Sequence, residues 1–176
     1  APVNMKLKGS QVLLECGPSK FNISCLSGDD FPEIGNGEAY PFKFVMKSWE
    51  LRYLIDKTKF AMSMEETRYN LNGICLHVTE FNDGVVFRAA ATDSHRLACA
   101  HISVPEGAEQ MQSIILSRKT VTEMSKFLEK HESDIQVSMS GFQVCFQAGD
   151  SFMSSRLIDG TFPDYESLIP YDNDKV

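Results

Sequence analysis

Aspartate, serine and histidine stand side by side in T-D-S-H-R-L, the segment at residues 92–97. These are the residue types of a hydrolase triad, but a triad needs side chains that converge from separate elements, with the base within reach of the nucleophile. Neighbouring residues at a strand turn point in alternating directions, and the sequence has no G-x-S-x-G elbow. We therefore predict a turn in which the Asp93 side chain bonds to its own backbone. A hydrolase that uses Ser94 and His95 is the alternative, which labelling of Ser94 by an active-site serine probe would support.

Histidines and cysteines are the usual ligands of structural metals, yet none here has the spacing of a metal site. No two cysteines lie within a CxxC spacing and their number, five, is odd, which argues against a zinc site and a disulfide framework. Most of the cysteines are predicted to be small buried hydrophobes, reduced as in a cytoplasmic protein. The residues concerned are His77, His95, His101, His131, Cys16, Cys25, Cys75, Cys99 and Cys145. With no glycine-rich phosphate loop either, we predict no catalytic residue, metal or cofactor.

A cation, an aromatic ring and amides occur together in R-Y-N-L-N-G, the segment at residues 68–73. The segment follows a predicted helix and is therefore expected to be a loop. Two interpretations stay open for it. It is either a polar connection or a contact for nucleic acid that uses the backbone and a stacked ring.

Three lysines follow helical spacing in the second predicted helix: Lys119, Lys126 and Lys130. Together with Thr122 they form one polar stripe, which is either a solvated face balanced by nearby glutamates or a surface that faces phosphates. The formal net charge of −7 argues against a simple basic nucleic-acid binder. It does not exclude a local basic patch.

Alternation and helical spacing predict two copies of one unit, each a strand, a helix and a three-strand meander. The helices are predicted to begin at Ser48 and Ser117. We expect Trp49 to be a packing residue. The predicted buried stripes are Leu51, Leu54, Ile55 and Thr58 in the first helix and Val121, Met124 and Leu128 in the second. The predicted strands are 40–44, 74–81, 85–91, 96–104, 113–116, 134–139, 142–148 and 151–157. The fold class is α+β, with two helices packed on antiparallel sheets.

Part of the chain is repeated. The pattern F-x-x-S-x-L-x-x-x-x-F-P begins at Phe21 and again at Phe152, 131 residues later, and a preceding hairpin repeats at an offset of 132. A period of about 130 residues is too long for a solenoid and indicates duplicated whole domains. Residues 1–37 are then the C-terminal part of one copy, 38–170 a complete second copy and 171–176 a linker. We expect the chain to be a piece of a longer protein.

Four motifs, taken in order, make the chain resemble the bacterial DNA sliding clamp family, the beta subunit of DNA polymerase III. Family members carry R-Y-x-L-N-G, found here at 68–73, and A-T-D-G-H-R-L-A, found here as A-T-D-S-H-R-L-A at 91–98. They carry a basic pair that opens the second helix, here Arg118-Lys119, and L-(I/V)-D-G-x-F-P-D-Y, here at 157–165. Residues 1–37 resemble the end of the family's first domain.

The resemblance implies a DNA-clamp fold and a ring. Clamp protomers have three similar domains, and two protomers close head to tail around duplex DNA, with helices lining the hole. Such a processivity factor has no active site. It tethers the polymerase III catalytic subunit, the clamp loader and repair factors through a hydrophobic peptide-binding pocket, in the bacterial cytoplasm. A third copy is expected beyond Val176. The 176-residue chain alone is expected to be monomeric, although the full-length clamp is a homodimer.

The resemblance also assigns sites, residue by residue. The peptide pocket is carried over to Leu71, Thr92, Ser94, His95, Arg96, Leu97, Pro163 and Leu168. Contacts to double-stranded DNA, independent of base sequence, are carried over to Arg68, Tyr69, Lys119, Lys126 and Arg156.

Three positions depart from the family pattern. Ser94 stands where glycine is usual, and if that position needs a positive φ the serine costs about 1 kcal/mol. Ser167 stands where arginine is common, and Asn70 where an aromatic is common. The alternative function is a generic α+β protein-interaction module that has no role with DNA.

Overall fold

The computed structural model describes residues 1–31, 40–82 and 84–169. The chain divides into two compact units, residues 1–34 and 35–176. The first unit is an antiparallel meander of β1 (Asn4–Lys8), β2 (Gln11–Cys16) and β3 (Ser19–Ser24). The predicted boundary at 37/38 and the predicted linker 171–176 lie outside the described residues.

The second unit confirms the predicted order of elements. Its first half contains β4 (Phe42–Lys47), α1 (Ser48–Thr58), β5 (Gly73–Phe81), β6 (Gly84–Thr92) and β7 (Leu97–Ser103). Its second half contains β8 (Ile114–Ser117), α2 (Arg118–Lys130), β9 (Asp134–Met139), β10 (Gln143–Ala148) and β11 (Ser151–Arg156). Short 3₁₀ turns follow at Lys59–Ala61, Tyr69–Leu71 and Glu166–Leu168.

Each half gives its first strand to the sheet of the other half. The two sheets have the orders β11-β10-β9-β4 and β7-β6-β5-β8, and all pairings are antiparallel. Phe44 of β4 thus lies opposite Val137 of β9, and Ile74 of β5 opposite Leu116 of β8. The sequence predicted the repeated unit but not this exchange, which interlocks the halves.

The helices bury the predicted stripes. In α1 the buried residues are Ser48, Leu51, Leu54, Ile55 and Thr58, and in α2 they are Thr120, Val121, Met124 and Leu128. The helices contact each other; α1 also contacts β4, β6 and β7, and α2 contacts β5, β8 and β11. A single core therefore joins both helices to both sheets.

The helix starts follow the predictions only in part. The Ser117 hydroxyl accepts a hydrogen bond from the Thr120 backbone N–H, so Ser117 caps α2 as predicted. Ser48, however, is the first helical residue of α1 and is buried; the cap is Lys47, whose N–H donates to the Glu50 carboxylate.

Two burial predictions are wrong. Trp49 is 63% exposed, because it lies on the first turn of α1 outside the stripe that faces the core. The cysteines are also less buried than expected: Cys75 and Cys145 are buried, but Cys99 is exposed and Cys16 and Cys25 are partly exposed.

The internal repeat is real in structure, but one residue out of register with the motif. The N–H of Cys25 donates to the Ser10 carbonyl, and the N–H of Leu157 donates to the Phe142 carbonyl, both at an offset of 132. The turns Cys16↔Ser19 and Ala148↔Ser151 have the same offset. The counterpart of Phe21 in the ladder is therefore Met153, not the Phe152 that the motif aligned with it.

Residues 162–166 lie against part of the outer face of the β7-β6-β5-β8 sheet, at β5 and β6. The buried Tyr165 places its hydroxyl 2.7 Å from His77 Nε2. Glu166 Oε1 accepts hydrogen bonds from the Thr79 hydroxyl (3.0 Å) and the Arg88 guanidinium (3.2 Å). This irregular segment is therefore fixed to β5 and β6 by side-chain bonds.

Burial makes His77 a source of pH-dependent stability. Removal from water lowers the pKa of His77; Glu166 acts in the opposite sense and Arg88 in the same sense. The unfolded chain, with a histidine pKa of about 6.5, then binds more protons than the folded chain just below that pH. We expect the free energy of unfolding to fall as pH decreases from about 7 to about 5.

Urea unfolding followed by circular dichroism across this window measures the effect. His77→Gln should flatten the dependence, because the variant removes the group whose protonation differs between the two states. The prediction is wrong if wild type and variant lose stability in parallel between pH 7 and pH 5.

Candidate peptide pocket and DNA-facing surface

The turn between β6 and β7 is held by its own side chains. The Asp93 carboxylate accepts hydrogen bonds from the backbone N–H groups of His95 and Arg96, both at 3.0 Å, and from Arg96 Nε at 2.9 Å. The Thr92 hydroxyl accepts from the Ser94 N–H and donates to the Arg96 carbonyl. The backbone bond from His95, followed by the bonds and charge of Arg96, lowers the pKa of Asp93. The predicted bonding of Asp93 to its own backbone is confirmed.

Ser94 occupies the left-handed region of backbone space, with φ of 75°. The condition that makes serine costly here is therefore met, and the cost is about 1 kcal/mol. Its hydroxyl accepts a hydrogen bond from the Arg68 guanidinium at 2.9 Å. A base that would activate this oxygen must take a proton from it, whereas Arg68 only donates. The geometry gives the hydrolase alternative no support.

The 3₁₀ turn Tyr69–Leu71 connects the β6–β7 turn to the C-terminal segment. On one side Arg68 bonds to Ser94, and on the other the Asn70 side chain donates to the Thr161 carbonyl at 3.1 Å. Gly160 lies against the Tyr69 ring, where an added Cβ would come within 3.0 Å of a ring carbon. Three of the segments that the resemblance assigned to one pocket are therefore in direct contact.

The apolar members of this set differ in exposure. Leu71 is 6% exposed and belongs to the core, whereas Leu97 is 37% and Leu168 74% exposed. The exposed Pro163 lines a cavity of about 190 Å³ together with His77 and other residues of the outer sheet face. Leu97 is thus the apolar side chain of the turn that is open to a ligand.

Sequence reasoning missed Phe60. This exposed ring follows α1, and the Arg96 guanidinium lies 5.9 Å from its centroid. Its sequence signal was an aromatic residue outside the buried stripe of α1, next to Lys59, which caps the C-terminal end of that helix. Phe60 adds apolar surface beside the turn, close to the stem of Arg96.

The five residues assigned to DNA contact are all exposed, but their charges are compensated to different degrees. They are Arg68, Tyr69, Lys119, Lys126 and Arg156. Arg68 is paired with Glu65 (3.1 Å) and Lys126 with Glu123 (2.9 Å). Lys119 has no ion-pair partner within the described part of the chain. The same holds for Lys130, so these two lysines are the cations of α2 most available to a phosphate.

Only one member of the basic pair that opens α2 faces solvent. The Arg118 guanidinium donates to the carbonyls of Met62 (2.7 Å) and Ser63 (2.8 Å), which ties the start of α2 to the segment after α1. Lys119 is exposed, as are Thr122, Lys126 and Lys130. The predicted stripe is therefore present on the surface of α2.

The described residues contain no group of three or more histidine, cysteine, aspartate or glutamate side chains arranged to hold a metal ion. Among the same residues, no helix is both long and apolar enough to span a membrane.

Known proteins match the chain along its whole length. A family model described as DNA polymerase III beta subunit, central domain, matches residues 45–164. The beta sliding clamp of Caulobacter vibrioides is 38% identical over 100% of this chain and 48% of its own length; that of Escherichia coli is 30% identical over 99% and 46%. The chain thus spans about half the length of the curated relatives it matches.

Solved structures of sliding clamps also match the chain. The DnaN sliding clamp of Bartonella birtlesii, bound to griselimycin, is 38% identical with a TM-score of 0.89, and the match covers 98% of this chain and 46% of the other. The beta sliding clamp of Caulobacter crescentus gives a TM-score of 0.88 at 37% identity, with the same coverage. The chain has the DNA-clamp fold and belongs to the DNA polymerase III beta subunit family.

Proposed function

We propose that the chain is part of a sliding clamp, a non-catalytic processivity factor that encircles duplex DNA and tethers a replicative polymerase. The observation that carries the proposal is the contact of the β6–β7 turn, the 3₁₀ turn Tyr69–Leu71 and the segment around Thr161 in a chain of this family. Residues 1–37 are then the end of one clamp domain and residues 38–170 a complete one. Two three-domain protomers form the ring.

Electrostatics support a ring that slides. A chain with a net charge of −7 repels DNA at long range, while a few exposed cations on α2 attract it locally. Contacts to phosphates position a protein on DNA but carry no base information. Lys119, Lys126, Arg68, Tyr69 and Arg156 can therefore face the duplex without gripping one sequence.

The pocket proposal concerns short linear motifs with leucine and phenylalanine anchors. Leu97, Pro163 and Leu168 offer exposed apolar surface, and Phe60 extends it. Such anchors supply most of the binding energy of a peptide, and polar rim contacts add little. The partners in this proposal are the polymerase III catalytic subunit, the clamp loader and repair proteins that carry such motifs.

Charge reversal of Lys119 tests the DNA contact. Lys119→Glu should weaken duplex binding about equally for unrelated sequences and lower the slope of the salt dependence by roughly one. Fluorescence anisotropy with two duplexes at several salt concentrations measures both. The control is Lys43→Glu on β4, where Phe44 and Met46 face the core and Lys43 faces away from the helices. Equal losses in both variants, or a loss on one sequence only, would contradict the proposal.

A charge at Leu97 tests the pocket. Leu97→Asp should lower the affinity for a synthetic pentapeptide that ends in leucine and phenylalanine by roughly a hundredfold or more. The reason is that an unpaired carboxylate would be buried under the ligand. NMR titration of the chain measures the loss. The matched control is Ser103→Asp, which places the same charge on an exposed position at the other end of β7. An unchanged affinity in Leu97→Asp would refute the pocket assignment.

Replacement of Ser94 tests its effect on the pocket. Ser94→Gly should leave peptide affinity intact or improve it, because glycine adopts φ of 75° without strain and opens the turn. Ser94→Ala is the control, since it removes the hydroxyl that binds Arg68 but keeps the Cβ and the strain. A clear loss of affinity in the glycine variant alone would contradict the prediction and show that the Cβ at this position is required.

A further inference from the structure

Residues 159–169 follow β11 without joining either sheet. The Ile158 N–H donates to the Ile115 carbonyl. After that the described backbone-to-backbone hydrogen bonds of the segment are local, from the N–H of Leu168 to the Tyr165 carbonyl and from that of Ile169 to the Glu166 carbonyl. Pro163 and Leu168, both assigned to the pocket wall, lie on this segment. Their positions therefore depend on what fastens the residues between them.

The first fastening is a buried charge. Arg88 of β6 is 2% exposed, and its guanidinium lies 4.3 Å from the centre of the Phe81 ring. Its charge is met by Glu166, whose carboxylate also accepts the Thr79 hydroxyl. The Nε of Arg88 has no hydrogen-bond partner among the described residues, so the guanidinium depends heavily on Glu166. A buried cation strongly disfavours the loss of its partner.

The second fastening is Tyr165. Its hydroxyl is bonded to His77, and its ring meets those of His77 and Phe162 edge-on, with centroids 5.8 Å and 6.0 Å away. Two successive residues are thus fixed to two neighbouring strands. Pro163 lies two residues before Tyr165, and Leu168 lies two residues after Glu166 in the same 3₁₀ turn.

We propose that Tyr165 and Glu166 are positioning residues of the peptide pocket. Anchored on the outer sheet face by His77, Thr79 and Arg88, they hold Pro163 and Leu168 where a peptide's apolar side chains meet them. Glu166 acts through Leu168, and Tyr165 acts through Pro163. The inference rests on the proposed pocket and adds that the pocket wall is held in place from the outer face of the β7-β6-β5-β8 sheet. A binding wall ordered in advance raises affinity because the ligand need not order it.

The test is a set of double-mutant cycles on the 176-residue chain, titrated with the same pentapeptide. Glu166→Gln and Tyr165→Phe should each weaken binding roughly tenfold, as expected for the loss of one ordering contact. Glu166→Gln should add less than about twofold in a Leu168→Ala background, and Tyr165→Phe less than about twofold in a Pro163→Ala background. Glu80→Gln, the same change on an exposed residue of β5, should leave the affinity unchanged.

The cycles separate positioning from general destabilisation. A merely structural role would lower the melting temperature and weaken peptide and duplex binding together, with the same factor in every background. Full additivity in both cycles would overturn the proposal, as would wild-type affinity in both single variants. If the wild-type chain binds no peptide, the pocket itself fails and the positioning role fails with it. If wild type binds and the single variants bind equally well, only the positioning role fails.

Discussion

The exchange of first strands between the two halves determines most of the second unit. β4 is the fourth strand of the sheet of the second half, and β8 is the fourth strand of the sheet of the first half. Neither half can therefore form its four-stranded sheet alone. Each helix begins directly after its exchanged strand, at Ser48 and Arg118. The exchange therefore also brings α1 and α2 together over one shared core, and sets which helix faces remain on the surface.

The same exchange places the candidate site. Gly73 of β5 lies so close to β8 that an added Cβ would come to 2.1 Å from the Leu116 carbonyl oxygen, and Leu116 also bridges to Leu157. One residue of β8 thus fixes both the exit of the loop at 68–72 and the start of the C-terminal segment. The Arg118 N–H then donates to the Asn72 carbonyl, which ties that loop to α2. The site is built where the two halves meet.

Local features were predictable from the sequence and non-local ones were not. The buried stripes of both helices and the Asp93 turn follow from spacing within a few residues, and the structure has them. The residues of a short apolar strand such as β8 do not specify which strand it pairs with, so the sequence analysis missed the exchange. Trp49 was misjudged because aromatic size suggested packing, although its helical position points away from the core.

The site residues carry the same distinction. The resemblance of the motifs was enough to assign Leu97, Pro163 and Leu168 to one pocket wall. That Phe60 lies beside Arg96 is visible only in the three-dimensional structure. The repeated motif aligned Phe21 with Phe152, whereas in the strand ladders Phe21, opposite Leu14, occupies the position equivalent to Met153, opposite Phe146. Identical side chains in two repeats can end up one residue apart in an alignment. The pairing register of the strands is held more tightly, because a slip of one residue would turn every side chain of the strand to the other face of the sheet.

Arg68 links the two surfaces proposed for this chain. Its guanidinium is bonded to Glu65 and to Ser94, so it belongs to the rim of the turn as well as to the set assigned to DNA. These roles are physically compatible, because a guanidinium has five N–H donors and two contacts leave others for a phosphate. Glu65 compensates its charge at short range, however, which weakens its pull on DNA relative to the unpaired Lys119. Under the proposed function Lys119 is therefore the stronger of the two phosphate contacts, and Arg68 belongs to both proposed surfaces.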